Sequence, residues 1–201
     1  MSEFAGKLVA QAQLMSVLEV IAVVLAIMYL VLAIRQNIWC WACAAASTVI
    51  FVYLFFDITL YMEAALNVFY LGMAIYGWYS WRSGASRSEL PVSVWPLKTH
   101  GFALLTIVLI SAASGYLLDT RTDAAFPYVD SLTSWAAVWA TFLVARKVLE
   151  NWWYWLAIDA TMVYVFWVKD LELTAVLYIF YIGMIPIGLY AWTQSYKANS
   201  Q

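Results

Sequence analysis

The chain has 201 residues, of which 66% are apolar and 11% are charged, and its mean hydropathy is +0.81. A soluble domain carries about 25% charged residues and could not bury this much apolar surface, so the composition excludes a soluble fold. The formal net charge of −2 and the lack of a basic block give no support to a nucleic-acid partner. The composition therefore predicts an all-α integral membrane protein that contacts the lipid bilayer over most of its surface.

Seven apolar segments follow one another along the chain. A spanning helix needs about 20 apolar residues, and each segment is close to that length. Their predicted bounds are 16–34, 37–56, 58–81, 97–118, 128–146, 151–168 and 171–193. The stretch near 82–96 is the longest connection, so residues 1–201 are predicted to form a single transmembrane domain. Glu3 and Lys7 precede a first span too long for a signal peptide, and no small-residue cleavage site follows, so no cleavable signal is expected.

Arginine and lysine are divided unevenly between the two sides of this topology. An odd number of spans places the termini on opposite sides, with seven basic residues on the C-terminal side and three on the other. The positive-inside rule then predicts an external N-terminus and a cytoplasmic C-terminus. The seven are Arg35, Arg82, Arg87, Lys98, Arg146, Lys147 and Lys197, and the three are Lys7, Arg121 and Lys169.

An internal repeat is the most informative feature of the sequence. Residues 69–73 (FYLGM) read almost the same as residues 180–184 (FYIGM), at an offset of 111. The offset continues downstream, where Gly77, Tyr79 and Trp81 match Gly188, Tyr190 and Trp192. Upstream, Asn37 and Trp41 match Asn151 and Trp155 at an offset of 114, which we interpret as a shortened connection in the second unit.

The repeat predicts two parallel three-helix units joined by a linker helix, a 3+1+3 arrangement like that of the SWEET transporters. Repeat one covers about 16–81, the linker helix about 97–118 and repeat two about 128–193. Such folds bind their substrate near mid-membrane between the units, and one unit rocks against the other. The repeat therefore favours a small transporter over an enzyme.

The sixth span carries the strongest candidate site. Trp152, Trp155 and Asp159 are spaced i, i+3 and i+7, so they share one helix face. A carboxylate inside the bilayer costs roughly 2.5–3.5 kcal/mol on insertion scales, so Asp159 is expected to face the bundle or a cavity. Two indole rings and a carboxylate would suit an aromatic cation. The alternative is that the tryptophans form an interface belt and Asp159 only accepts a structural hydrogen bond.

Other polar groups in the spans are weaker candidates, because such side chains usually bond their own helix backbone. Four of them are predicted to contact substrate, namely Ser47, Asn67, Tyr178 and Tyr181. The helix-end residues Tyr79, Trp81, Tyr190 and Trp192 are interpreted as belt residues.

Metal, redox and cofactor chemistry is not expected. Cys40 and Cys43 have CxxC spacing without a second cysteine pair, and His100 is the sole histidine. A retinal protein would need a lysine inside the last span, but Lys169 and Lys197 only flank it. No cofactor, metal site or catalytic residue is predicted.

Two stretches resemble the PnuC/PnuT family of bacterial vitamin-precursor transporters: 146–159, which ends in the W-x-x-W-x-x-x-D pattern, and 76–81 (YGWYSW). The resemblance implies a 3+1+3 helix arrangement with the N-terminus outside and facilitated diffusion through the inner membrane without ion coupling. It implies a homotrimer and a cytoplasmic kinase that traps the product without stable contact. It also implies that Trp152, Trp155 and Asp159 bind substrate or shape the site.

The branch of the family decides the substrate. Its members take nicotinamide riboside or thiamine, both aromatic cations, and others take riboflavin. Ser47 and Asn67 stand where the nicotinamide riboside branch has Asn and Gln, which tilts our prediction slightly towards thiamine, with nicotinamide riboside as the alternative. A membrane-embedded lipid-modifying enzyme and a binding subunit of a larger uptake complex are the readings from other classes.

Overall fold

The computed structural model describes residues 2–57, 61–82, 90–123 and 125–199, and eight helices occupy this part of the chain. Helices α2 to α8 fall where the sequence predicts its seven apolar segments. By length and composition, four of the helices in the described ranges, α2, α3, α5 and α8, could cross a membrane. The bounds are α1 Ser2–Leu14, α2 Val17–Ile34, α3 Trp39–Asp57, α4 Tyr61–Arg82, α5 Leu97–Arg121, α6 Pro127–Ala145, α7 Asn151–Val168 and α8 Glu172–Asn199.

Helix α1 is not among the elements predicted from the sequence. It ends before Ser16, which starts α2 through a capping box with Glu19. The amide of Gln11 bonds the carbonyl oxygen of Asp170 at 2.8 Å and accepts from the backbone N–H of Leu173 at 2.9 Å. Helix α1 therefore lies against the turn between α7 and α8.

The helices pack as two consecutive triplets. Helix α3 packs on α2 and α4, and α7 packs on α6 and α8. The triplets meet through two helix pairs, α4 with α6 and α2 with α8, while α5 packs on α6. One contact joins the third helix of the first triplet to the first helix of the second, and the other joins the first helix of the first triplet to the third helix of the second.

One glycine–tryptophan contact recurs in the two triplets at an offset of 111. A Cβ on Gly77 would overlap the indole of Trp41, and a Cβ on Gly188 would overlap the indole of Trp152. Trp152, rather than Trp155, is therefore the counterpart of Trp41. The offset of 114 predicted for the upstream helices is wrong, because each indole fills the space left by the glycine of its own unit.

The turn that follows the first helix of each triplet is repeated as well. Gln36 and Lys147 both have positive φ, at 54° and 49°. The next amide in each turn bonds back five residues, from Asn37 to Leu32 and from Val148 to Leu143, at 2.9 Å in both cases. This is the Schellman end of a helix, formed here without glycine.

Candidate functional site

A cavity of about 410 Å³ lies between the two triplets. Helices α2 and α4 line it from the first triplet, and α6, α7 and α8 line it from the second. The polar and aromatic side chains on its wall are Tyr29, Tyr70, Thr133, Ser134, Asn151, Trp152, Trp155, Asp159, Tyr178, Tyr181 and Trp192. Apolar residues such as Leu30, Ala137, Ile158 and Ile185 complete the wall.

Helix α7 brings the three predicted residues Trp152, Trp155 and Asp159 to this cavity. Trp152 is 3% exposed and lies at the end near the helix start, where it packs on Gly188. Trp155 is half-buried, one turn further along the same face. Asp159 is seven residues beyond Trp152, so it stands about 10 Å higher along the helix axis.

Asp159 is the charged residue among the described residues that line the cavity. Its side chain is 5% exposed, and no hydrogen bond or ion pair reaches its carboxylate from the described part of the chain. A buried charge without a partner is costly, and a cation entering the cavity would relieve that cost. Its counterpart in the first triplet is Thr48, whose hydroxyl bonds Ala44 of its own helix at 2.9 Å. The charge therefore belongs to one triplet only.

Tyr178 and Tyr181 on α8 also line the cavity, as predicted candidates for substrate contact. Their ring centroids are 5.6 Å apart, and Tyr178 packs on Phe166 of α7 at 5.2 Å. Both phenols lie within electrostatic range of Asp159. The carboxylate is thus accompanied by hydroxyl groups.

Two predicted residues, Ser47 and Asn67, are not among the residues that line the cavity. Ser47 is buried between α3 and α2, where its hydroxyl donates to the carbonyl oxygen of Ala22 at 2.8 Å. This bond joins two neighbouring helices, so Ser47 has a structural partner. Asn67 is half-buried on α4 and is not among the lining residues, although Leu66 and Tyr70 on the same helix are.

Tyr70, Asn151 and Tyr29 are among the cavity residues that are not predicted from the sequence as contacts. Tyr70 is the counterpart of Tyr181 in the repeated FYLGM and FYIGM segments, so the repeat itself is the signal that could have identified it. Asn151 is fully buried at the start of α7, and its amide nitrogen donates to Val148 at 2.7 Å. Tyr29 on α2 carries no pattern that distinguishes it from other aromatic residues in the spans.

The interpretation of four aromatic residues as an interface belt fits the two tyrosines and is wrong for the two tryptophans. Tyr79 and Tyr190 are 62% and 68% exposed, as expected of belt residues. Trp81 and Trp192 are 5% and 0% exposed, because their rings turn inward and their indole nitrogens bond carbonyl groups of the opposite triplet.

The remaining ionisable and thiol groups lie outside the cavity. Within the described ranges, no group of three His, Cys, Asp or Glu side chains is arranged to hold a metal ion. Cys40 and Cys43 are free thiols. His100 on α5 is buried, with Nδ1 3.0 Å from the Tyr154 hydroxyl on α7.

A bundle with several apolar helices and an internal cavity between two helix triplets is the architecture of a multi-pass membrane transporter. The sequence model of a family described as nicotinamide mononucleotide transporter matches residues 16–194. The chain belongs to this family, the PnuC family, and is therefore a transporter rather than an enzyme.

Named relatives cover nearly the whole chain. The nicotinamide riboside transporter PnuC of Escherichia coli is 26% identical over 207 aligned positions, which cover 90% of this chain and 87% of the relative. The riboflavin/roseoflavin transporter RibM of Streptomyces davaonensis is 20% identical and covers 91% of this chain and 87% of its own length. A crystal structure of the vitamin B3 transporter PnuC matches with a TM-score of 0.74, at 19% identity over 97% of this chain and 90% of the other, which shows a shared fold.

Proposed function

We propose that this protein carries out facilitated-diffusion uptake of a cationic aromatic vitamin precursor, and that its substrate is nicotinamide riboside. The observation that carries the proposal is the unpaired carboxylate of Asp159, buried in the cavity on the same helix face as Trp155. The nicotinamide ring of the riboside is a pyridinium, so its charge and its flat face suit this pair. A desolvated cation–π contact is worth about 2 kcal/mol.

The rest of the cavity suits the sugar of the same ligand. Tyr178 and Tyr181 place phenol groups near Asp159, and Tyr70 lines the same cavity. A phenol can both donate to and accept from a ribose hydroxyl. Seven residues are proposed to contact or enclose the substrate: Trp152, Trp155, Asp159, Tyr178, Tyr181, Tyr70 and Asn151. Ser47 and Asn67 are assigned no contact.

The sequence slightly favours thiamine, whereas the family and the relative PnuC of Escherichia coli favour nicotinamide riboside. The argument for thiamine depends on Ser47 and Asn67, and neither side chain lines the cavity. Riboflavin is suggested by the relative RibM, but it is uncharged and would leave the Asp159 carboxylate buried without a partner.

The proposed architecture is the 3+1+3 arrangement, with repeat one at about 16–81, α5 as the linker helix and repeat two at about 128–193. Equivalent packing of Trp41 on Gly77 and of Trp152 on Gly188 supports two parallel units. Transport would then be a rocking of one triplet against the other through the α4–α6 and α2–α8 contacts.

The proposed setting is the bacterial inner membrane, with the N-terminus outside and the C-terminus inside. The excess of arginine and lysine at one end of the bundle supports this orientation. The protein is proposed to form a homotrimer. A cytoplasmic kinase that phosphorylates the incoming nucleoside would make uptake one-way without a stable complex.

Tryptophan fluorescence of the purified protein in detergent tests the substrate. The chain has 12 tryptophans, and we expect saturable quenching by nicotinamide riboside, weaker quenching by thiamine and none specific to riboflavin. Trp155→Ala should weaken the binding of nicotinamide riboside, whereas Trp153→Ala, which removes an indole that is 57% exposed, should leave it unchanged. Tighter binding of thiamine or riboflavin would replace the proposed substrate.

A further inference from the structure

Four tryptophans form a continuous buried cluster at the end of the bundle that carries Arg35, Arg146 and Lys147, which we call the basic end. Trp41 meets Trp81 edge to face at 5.5 Å, and Trp152 meets Trp192 edge to face at 5.5 Å. Trp81 and Trp192 then contact each other at 6.4 Å and join the two pairs. All four side chains are at most 5% exposed. We call this cluster of Trp41, Trp81, Trp152 and Trp192 the tryptophan plug.

The plug is held by two hydrogen bonds that cross between the triplets in opposite directions. The indole N–H of Trp81 on α4 donates to the carbonyl oxygen of Val144 on α6, at 3.2 Å. The indole N–H of Trp192 on α8 donates to the carbonyl oxygen of Ala33 on α2, at 3.0 Å. The two donors are related by the offset of 111, and so are the two acceptors. Each triplet therefore donates one of the two hydrogen bonds and accepts the other.

Two members of the plug also line the cavity. Ala33, Val144, Trp152 and Trp192 all line its wall. Ala33 and Val144 lie in the last turns of α2 and α6, which end at the C-caps Arg35 and Arg146. The ammonium group of Lys147 lies 4.6 Å from the Trp81 ring centre and covers the cluster from that end. A ligand that leaves the cavity towards the basic end must pass these residues.

We propose that the tryptophan plug is the gate of this transporter at its basic end, which the proposed orientation places in the cytoplasm. Opening separates α4 from α6 and α2 from α8, the two places where the triplets meet. Both indole–carbonyl bonds break in the same movement because they join those two helix pairs. The inference rests on transport through this cavity and not on the identity of the substrate.

A native cysteine reports on the gate. Cys40 is fully buried in the same core cluster and precedes Trp41. In a Cys43→Ser background, the rate at which N-ethylmaleimide modifies Cys40 measures how often water reaches the plug. Trp81→Phe and Trp192→Phe each keep an aromatic ring but remove one indole N–H. Loss of one hydrogen bond should raise the modification rate about fivefold in each variant, and more in the double variant.

Trp153→Phe is the matched control, since Trp153 is 57% exposed on α7 and should leave the rate unchanged. Size-exclusion chromatography and fluorescence quenching by nicotinamide riboside establish that each variant is folded. If the double variant does not fold, the Cys40 modification rates of the two single variants still test the gate. If N-ethylmaleimide modified Cys40 in the folded single variants at the same rate as in the control, the proposed gate would be overturned. Failure of nicotinamide riboside to bind the unmodified protein would instead overturn the proposed substrate, while the Cys40 rates would still report on the gate.

Discussion

Asp159 carries the one charge among the described residues that line the cavity. The repeat provides Tyr70 and Tyr181 as a matched pair, but it provides a carboxylate in one triplet only, since Thr48 stands at the equivalent position. Helix α7 lines the cavity, whereas its counterpart α3 contributes no residue to the wall within the described part of the chain. A cation entering this cavity therefore meets an asymmetric site inside a repeated frame.

Asp159→Asn should separate the charge from the shape of the site. The variant keeps the volume but loses the carboxylate, so we expect the affinity for nicotinamide riboside to fall by about tenfold or more, ~1.4 kcal/mol. Its folded state should be at least as stable as the unmodified protein, because an amide costs less to bury than an unpaired charge. Fluorescence titration and thermal unfolding in detergent measure both. Asp119→Asn, at an exposed position on α5, is the control, and equal affinities in the two variants would leave the carboxylate without a role in binding.

The tyrosine pair can be tested with two ligands that differ in the sugar. Tyr70→Phe and Tyr181→Phe should each weaken binding of nicotinamide riboside about fivefold, the effect of one lost hydrogen bond. The same changes should leave 1-methylnicotinamide unaffected, since that ligand keeps the cationic ring and lacks ribose. Titration of both ligands against each variant gives the comparison. Tyr190→Phe, at a side chain that is 68% exposed, is the control, and equal losses for both ligands would remove the assigned sugar contact.

At the scale of single helices, close packing of glycine on tryptophan positions the site. Gly188 of α8 admits the Trp152 ring of α7, so these helices approach at the start of the face that carries Trp155 and Asp159. Gly183 lies on the same helix, but a methyl group there would have nothing within 4 Å, so its small size is not needed for packing. The two glycines of α8 therefore have opposite structural roles.

Gly188→Ala should lower the stability of the fold, whereas Gly183→Ala should not. The methyl group at 188 would overlap the Trp152 indole, and forcing such overlap costs about 1–3 kcal/mol. The methyl group at 183 meets open space, and alanine favours a helix over glycine by about 1 kcal/mol. Thermal unfolding in detergent should show a lower midpoint for Gly188→Ala and an unchanged or higher midpoint for Gly183→Ala. A midpoint for Gly188→Ala at or above that of Gly183→Ala would contradict this packing.

At the scale of the whole molecule, hydropathy and helix periodicity predict the segments that form α2 to α8 and the face that carries Trp152, Trp155 and Asp159. They cannot predict contacts between helices. A tryptophan near a helix end can lie at the lipid interface or inside the bundle. Trp81 and Trp192 are buried because each packs against and bonds the opposite triplet, which the sequence does not show. The partner of Ser47 is on another helix for the same reason. Helix α1 is less apolar than the spans, so hydropathy does not predict it.

The chemistry of the cavity also bears on the energetics of transport. The described residues that line it include one carboxylate and a set of neutral hydroxyl, amide and aromatic groups. A site for a coupling cation such as Na⁺ would need several oxygen ligands around the ion, beyond those that meet the substrate. The one carboxylate of the described wall is taken up by the charge of the substrate. We therefore expect a uniporter that uses no ion gradient.

Uniport of a cation makes a quantitative prediction for proteoliposomes. The membrane potential contributes about 2.3 kcal/mol per elementary charge at 100 mV, so nicotinamide riboside should accumulate about 50-fold inside vesicles held at 100 mV, inside negative. Imposed Na⁺ or proton gradients should not change this plateau, which radiolabelled uptake at a fixed potassium diffusion potential measures. Asp159→Asn should slow the approach to the plateau without moving it, because a passive carrier cannot alter an equilibrium. A plateau that follows the Na⁺ or proton gradient would instead contradict uniport.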